Sequence, residues 1–206
     1  EIRLSLVGSE MCIRDSTMTH LNELYLILNK SLKWNKSHLK CFALIMLVII
    51  LKQTCNLSSA SKALPIKCLP QSFYRRMQRF FAGQYFDYRQ ISQLIFNMFS
   101  FDQVQLTLDR TNWKWGKRNI NILMLAIVYR GIAIPILWTL LNKRGNSDTK
   151  ERIALIQRFI AIFGKDRIVN VFADREFIGE QWFTWLIEQD INFCIRVKKT
   201  SLSPII

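Results

Sequence analysis

The sequence contains no C-x-x-C pair, although it holds five cysteines, Cys12, Cys41, Cys55, Cys68 and Cys194. Its two histidines, His20 and His38, stand at no zinc-ligand spacing from any of them, which excludes the usual structural zinc sites. No cysteine has a histidine partner near a plausible site, so none reads as an activated nucleophile. They read as reduced fillers of a cytoplasmic protein. A membrane-spanning run is also missing. Cys41 to Leu51 is apolar but covers only about half of the roughly 20 residues that a span needs. Asn121 to Leu141 is longer, yet Arg130-Gly131 and Pro135 interrupt it, and a hairpin of two strands fits it better. There is no internal repeat and no low-complexity tract. Acidic residues are scarce, with 15 Asp and Glu against 29 Lys and Arg, for a formal net charge of +14. That imbalance points to a polyanionic partner, nucleic acid before a membrane surface.

Half of the residues are apolar, and 206 residues suffice for one large domain or two small ones with a packed core. Residues 1–17 show no sustained periodicity, and Glu1 to Asp15 resembles a translated sequencing-adaptor read. They are expected to be a non-native or disordered leader, with Met18 as a plausible start. Residues 18–100 carry a helical pattern. Leu21, Leu24, Leu28 and Leu32 recur at threes and fours. Ser37 to Leu51 is apolar nearly all round and should form the centre of a small bundle. A short helix follows Asn56 and stops at Pro65, another runs from Pro70 to Ala82, and Asp87 can cap a last one through Phe99. On the Pro70 helix, Arg75, Arg76 and Arg79 share a face opposite Phe73, Met77, Phe80 and Phe81. Short helices with an arginine-rich one among them suit a helix-turn-helix-like DNA reader, although a basic face is often only solvated.

Near Phe101 the periodicity becomes that of strands. Val104, Leu106 and Leu108 alternate with Gln105, Thr107 and Asp109, which places Asp109 on the polar face. Thr111 to Asn119 reads as a turn with the cations Lys114, Lys117 and Arg118. Ile120–Tyr129 and Ile132–Leu141 make a hairpin around Arg130-Gly131, with Pro135 at an edge or a bulge. Asp148 and Glu151 have capping-box spacing, and the helix they open should bury Ile153, Ile156, Ile160 and Phe163 before Gly164 ends it. Ile168 to Ala173 is a near-continuous apolar run, as expected of a strand covered on both faces, and Asp174 ends it. A helix over Gly179–Asp190 and a strand with Phe193, Ile195 and Val197 complete the order. The expected fold is α/β, a mixed sheet in the order β-β-β-α-β-α-β over residues 101–206, behind a small all-helical domain.

Asp109 and Asp174 are then the chemical candidates. If their strands are neighbours, two carboxylates stand at one sheet edge, an arrangement that holds divalent metal for phosphodiester chemistry. Aspartate is also common at strand ends simply because it caps turns. Arg110 and Arg175 follow the two aspartates directly, and each could neutralise phosphate or pair with a nearby carboxylate. Glu176 could be a ligand, but two residues beyond Asp174 it is expected to point elsewhere.

Several motifs occur together and in order: Leu108-Asp109-Arg110-Thr111, Arg144-Gly145-Asn146-Ser147, Ala173-Asp174-Arg175-Glu176-Phe177 and Ile195-Arg196-Val197-Lys198, behind Ser72-Phe73-Tyr74-Arg75-Arg76-Met77-Gln78-Arg79-Phe80-Phe81. From Met18 onward the chain resembles insertion-sequence transposases of the aspartate-aspartate-glutamate type, close to the insertion-sequence-4 family. The resemblance implies a ribonuclease-H-like catalytic domain (101–206) behind a domain (18–100) that binds transposon terminal inverted repeats. It implies metal-dependent DNA cleavage and strand transfer, with Asp109 and Asp174 as ligands of a two-Mg2+ site. Arg75, Arg76, Arg79, Arg110, Lys114, Lys117, Arg118 and Arg175 become the candidate DNA contacts. It also implies a bacterial, cytoplasmic protein that acts on DNA at the nucleoid, has no membrane association and works as a possible homodimer when full-length. The family's third ligand is a glutamate in a Tyr-x2-Arg-x3-Glu-x6-Lys signature, and no such pattern follows Asp174. The expectation is therefore a C-terminally truncated, inactive copy. The alternatives are a catalytically dead DNA-binding remnant and a ribonuclease-H-like nuclease. Trp113 and Trp115 are expected to be packing or DNA-rim residues.

Overall fold

The change of periodicity near Phe101 marks where helices give way to a sheet. The computed structural model describes residues 18–63, 68–83 and 86–197 and divides into two units, Glu1–Leu94 and Ile95–Ile206.

The first unit is helical. Its elements are α1 (residues 18–31), α2 (Lys36–Lys52), α3 (Leu57–Ala60), α4 (Pro70–Gly83) and the start of α5 (Tyr88–Met98). Asn35 caps α2 by accepting a hydrogen bond from the His38 N–H at 2.8 Å, and Asn56 caps α3 in the same way from Ser59. As its apolar circumference requires, α2 is central. Leu39, Ala43, Ile45 and Val48 are all but inaccessible. Phe73, Met77 and Phe80 of α4 pack against Cys41, Leu44, Ile45 and Val48 of α2, and Leu28 and Leu32 pack with Leu39 and Ala43. Among the described residues no single helix is long and apolar enough to cross a membrane. The stop expected at Pro65 and the leader over residues 1–17 lie outside the described residues.

The second unit is built on β1 (Val104–Trp115), β2 (Arg118–Tyr129), β3 (Ile132–Leu141), β4 (Ile168–Ala173) and β5 (Phe193–Ile195), with α6 (Thr149–Phe163) before β4 and α7 (Glu180–Glu188) before β5. The sheet order is β3-β2-β1-β4-β5. The first three strands form an antiparallel meander, and β4 and β5 run parallel to β1. This is the mixed ribonuclease-H-like plan, and β1 lies at its centre. One face of the sheet packs Leu106, Leu108, Leu125, Ile127 and Val171 against Leu155, Ile156 and Phe159 of α6 and Trp182 and Leu186 of α7. Phe96, from the end of α5, stacks on Phe163 at 4.4 Å within the same core.

Five details differ from expectation or sharpen it. Thr111 to Asn119 is not a turn. β1 continues to Trp115, and only Gly116 and Lys117 separate it from β2, with Trp113 facing Ile120 and Trp115 facing Arg118 in register. The strand preference of threonine and tryptophan overrides the local polarity, and Gly116, at φ +57°, allows the tight reversal. In the β2–β3 turn Arg130 and Gly131 both have positive φ, as a type I′ hairpin requires. Pro135 occupies an edge strand at a bulge: Leu125 pairs with Leu137 and Ala126 with Pro135, so Ile136 is the extra residue. The buried face of α6 is Arg152, Leu155, Ile156 and Phe159, rotated from the expected one, and Ile153, Ile160 and Phe163 are only partly buried. β4 is not covered on both faces either. Val171 is fully buried, but Val169 is 40% exposed, at the point where the β1–β4 register shifts and leaves it as the extra residue.

Candidate active site

Leu108 and Ala173 form the last backbone pair between β1 and β4. Asp109 and Asp174 are the next residues on these parallel neighbours. Strands so paired lie about 4.8 Å apart, so the two carboxylates stand side by side. Side chains alternate along a strand, and the core takes Leu106, Leu108 and Val171. Asp109 and Asp174 therefore project from the opposite, helix-free face. There they line a single cavity of about 240 Å³ together with Thr107, Met124, Ala126 and Pro135. Both aspartates are exposed.

Each carboxylate is oriented by its own chain. The Arg110 N–H donates to Asp109 Oδ1 at 2.7 Å, and the Arg175 N–H donates to Asp174 Oδ1 at 2.7 Å. Through that bond Asp174 caps the short 3-10 turn Arg175–Phe177. Among the described residues neither Oδ2 has a hydrogen-bond donor and neither carboxylate has a cationic partner. Two side-by-side oxyanions without a countercharge fit a divalent cation, for which oxygen donors are the preferred ligands. Among the described residues no group of three His, Cys, Asp or Glu side chains could close a metal site.

The residues beside the aspartates form a second cluster, on the core side of the sheet. Arg110 is bound in bidentate fashion to Glu176, Nε to Oε1 at 3.1 Å and Nη2 to Oε2 at 3.1 Å. It also donates to Asn121 Oδ1 and Asn146 Oδ1, each at 3.3 Å. Of the two roles open to Arg110, the structure shows the carboxylate pair, and Glu176 points away from the aspartates as expected. Asn121, almost fully buried, donates through Nδ2 to the carbonyls of Lys143 and Gly145 and so fixes the loop after β3. Arg152, only 5% exposed, donates to Ser147 Oγ at 3.0 Å, the Ser147 carbonyl at 2.7 Å and the Glu176 carbonyl at 3.1 Å, and it lies over the Phe177 ring. Burial works against its charge, while the carboxylates of Glu176, Asp148 and Glu151 favour it. Sequence reading missed Arg152 and Asn121. The available signals were an amide inside the apolar run Ile120–Tyr129 and an arginine one turn before Leu155 and Ile156 on the buried face of α6.

The candidate DNA contacts fall in separate places. Lys114 and Lys117 share a polar cleft with Arg144, Asn112, Asn119 and Gly116 at the tip of the β1–β2 hairpin. By register Asn112, Lys114 and Asn119 lie on the face of Arg110 and Asn121, opposite to that of the aspartates. Arg118 and Arg175 are exposed and line neither the cleft nor the carboxylate cavity. Trp113 is 62% exposed and lies on the face of Asp109. In the helical unit Arg76 and Arg79 line one recess with Ser37, His38, Cys41 and Phe80, while Arg75 is exposed outside it. Burial pushes the Cys41 thiol up, against any role as a thiolate nucleophile.

The model of a family described as "Transposase DDE domain" matches residues 100–202, half of the chain. The chain belongs to that family. The sheet and both aspartates fall inside the DDE-domain match. No curated protein matches the chain. Solved structures of viral proteins are similar at 14% identity. One is from a simian T-cell lymphotropic virus intasome in complex with the PP2A regulatory subunit B56 gamma (TM-score 0.38, covering 49% of this chain and 37% of that one). Two are of the HTLV-2 integrase catalytic core domain in complex with magnesium: the dimeric form (TM-score 0.36, 46% and 61%) and the trimeric form (TM-score 0.37, 47% and 61%). The chain thus spans less than two thirds of the length of each of these proteins.

Proposed function

We propose that the second unit is the catalytic domain of a DNA transposase, close to the insertion-sequence-4 type, and that Asp109 and Asp174 are two of its three acidic metal ligands. The observation that carries this is their placement, side by side on adjacent parallel strands and lining one cavity without a cationic partner among the described residues. The family match supports the chemistry. When bound there, divalent ions such as Mg2+ supply activation of the attacking oxygen and stabilisation of the leaving one. The protein's part is positional. The amides of Arg110 and Arg175 hold Oδ1 of each carboxylate, and among the described residues Oδ2 has no donor. The sheet brings the two carboxylates onto neighbouring strands. Lys114, Lys117 and Arg144 hold the phosphate backbone of DNA in the hairpin cleft, and Arg76 and Arg79 contact DNA from the helical unit, where terminal inverted repeats are recognised.

A second function, DNA binding without cleavage, is favoured by one specific observation: the described residues offer no third acidic ligand. With two ligands of three, ions are bound weakly and misplaced, and about 1 Å of error is costly in such chemistry. The experiment is a plasmid-nicking assay with Mg2+ and Mn2+ beside a mobility-shift assay on element-end DNA. Metal-dependent nicking lost in Asp109→Asn supports the enzyme. Selective binding with no nicking supports the second reading. Absence of both removes the transposase assignment.

A further inference from the structure

We propose that Arg110 and Glu176 are positioning residues: their bidentate ion pair locks the ends of β1 and β4 together and sets the separation of Asp109 and Asp174. The inference rests on the assignment of those two aspartates as metal ligands.

The main-chain ladder between β1 and β4 stops at Leu108 and Ala173. The two aspartates come directly after it, past the last residues that pair. The Arg110–Glu176 pair closes across the gap at that point. Arg110 is covalently next to Asp109, and Glu176 is two residues from Asp174 in the turn that Asp174 caps. Two parallel N–H···O bonds at 3.1 Å define a plane as well as a distance, which a single contact does not. The side chains are 14% and 25% exposed, so solvent screens the pair less than it would a surface bridge. Both partners are held in turn. Asn121 and Asn146 take the remaining reach of the guanidinium, and buried Arg152 holds the Glu176 carbonyl. With its donors so placed, Arg110 is not presented to a phosphate. The lock lies on the core side of the sheet, beneath the face that carries the aspartates, so it acts through the backbone rather than by touching metal or DNA. Partners of metal ligands that orient without binding typically change metal affinity about 10–100-fold when removed.

Two readouts test this on the full chain. The first is amide hydrogen exchange of Arg175 by NMR. Its N–H bonds to Asp174, and Arg110's side chain does not touch it. Arg110→Gln should speed that exchange by about 10-fold or more while the Leu106 amide, inside the ladder, stays as it is. The second is Mn2+ affinity measured by electron paramagnetic resonance, well below each variant's melting temperature. Arg110→Gln and Glu176→Gln should each weaken it about 10-fold or more, and the double variant should be no worse than either single one. Arg110→Lys, which keeps the charge and loses the fork, should not restore wild-type affinity. Unchanged Arg175 exchange in Arg110→Gln overturns the lock. So does wild-type Mn2+ affinity in Arg110→Gln and Glu176→Gln when Asp109→Asn and Asp174→Asn lose theirs. If the two Asn variants also bind Mn2+ like wild type, the metal-site assignment fails by itself, and the exchange readout still decides whether the strands are locked.

Discussion

Asp109 and Asp174 occupy matching positions on neighbouring parallel strands, each one residue past the pair Leu108 and Ala173. Sixty-odd residues of chain separate them, and the register of two strands brings them together. In a chain competent for cleavage, Asp109→Asn or Asp174→Asn should lower metal-dependent nicking by more than about 100-fold, beyond what loss of an outer-shell partner does. Binding to element-end DNA should change little, since the cationic cleft and the arginine-rich recess lie elsewhere. Parallel nicking and mobility-shift measurements check this. Retained cleavage in both variants would remove the site assignment.

Sequence reading reached the aspartates because their signal is local: an apolar alternating run that ends in a carboxylate. It also reached the element order and the mixed sheet, since a meander followed by two crossovers leaves few sheet plans. What stayed hidden was the pairing of Arg110 with Glu176, which depends on which strands are neighbours and on a reach across the end of a ladder. The Thr111–Asn119 segment was misread because its polar residues resemble a loop, while its cross-strand partners in β2 hold it extended. Arg152 was hidden for another reason. An arginine is expected on the wet side of a helix, and the Ser147 hydroxyl with the carbonyls of Ser147 and Glu176 makes its burial tolerable.

The hairpin cleft carries three cations, Lys114, Lys117 and Arg144. If they neutralise phosphates, each substitution by Gln should lower the slope of log affinity against log salt by about 0.9 for duplex DNA. The loss should be similar for element-end and unrelated sequences, because phosphate contacts carry no base information. Asp109→Asn, on the other face, should leave the slope unchanged. Fluorescence anisotropy across a salt series measures it, and a slope indifferent to all three substitutions would mean that DNA passes elsewhere.

The capping box of α6 gives a pH signature. The Asp148 carboxyl is held below its ordinary value of 3.8, first by the Glu151 N–H and then by the Lys143 ammonium. A carboxylate with a depressed pKa contributes stability fully above its unfolded value and loses it as pH falls through the folded one. Asp148→Ala should therefore cost about 1 kcal/mol near neutral pH. The difference from wild type should shrink below pH 3.8 and vanish in stronger acid. Melting curves of both proteins over that range test it. A gap that persists undiminished in acid would show that the cap does not act through its charge.

Arg152 should be the most sensitive single position outside the carboxylates. Its guanidinium, only 5% exposed, serves two carbonyls and one hydroxyl, and its flat face covers the Phe177 ring. Arg152→Met would keep much of the packing but strand the Ser147 and Glu176 carbonyls, a loss of about 2–3 kcal/mol in chemical denaturation. Arg152→Lys should recover less than half of that, because one ammonium cannot reproduce a planar fork aimed at three acceptors. The damage should also be directional. Glu176 loses the contact that holds its backbone, so the pair with Arg110 loosens, and Mn2+ affinity should fall together with stability. Arg158→Met is the control. Arg158, on the same helix, donates to the Trp138 carbonyl and Thr139 Oγ1 of the edge strand β3 and makes no contact with Glu176. It should lower stability without touching Mn2+ affinity. If Arg152→Met behaves like Arg158→Met, Arg152 is a packing residue and no part of the scaffold that positions the carboxylates.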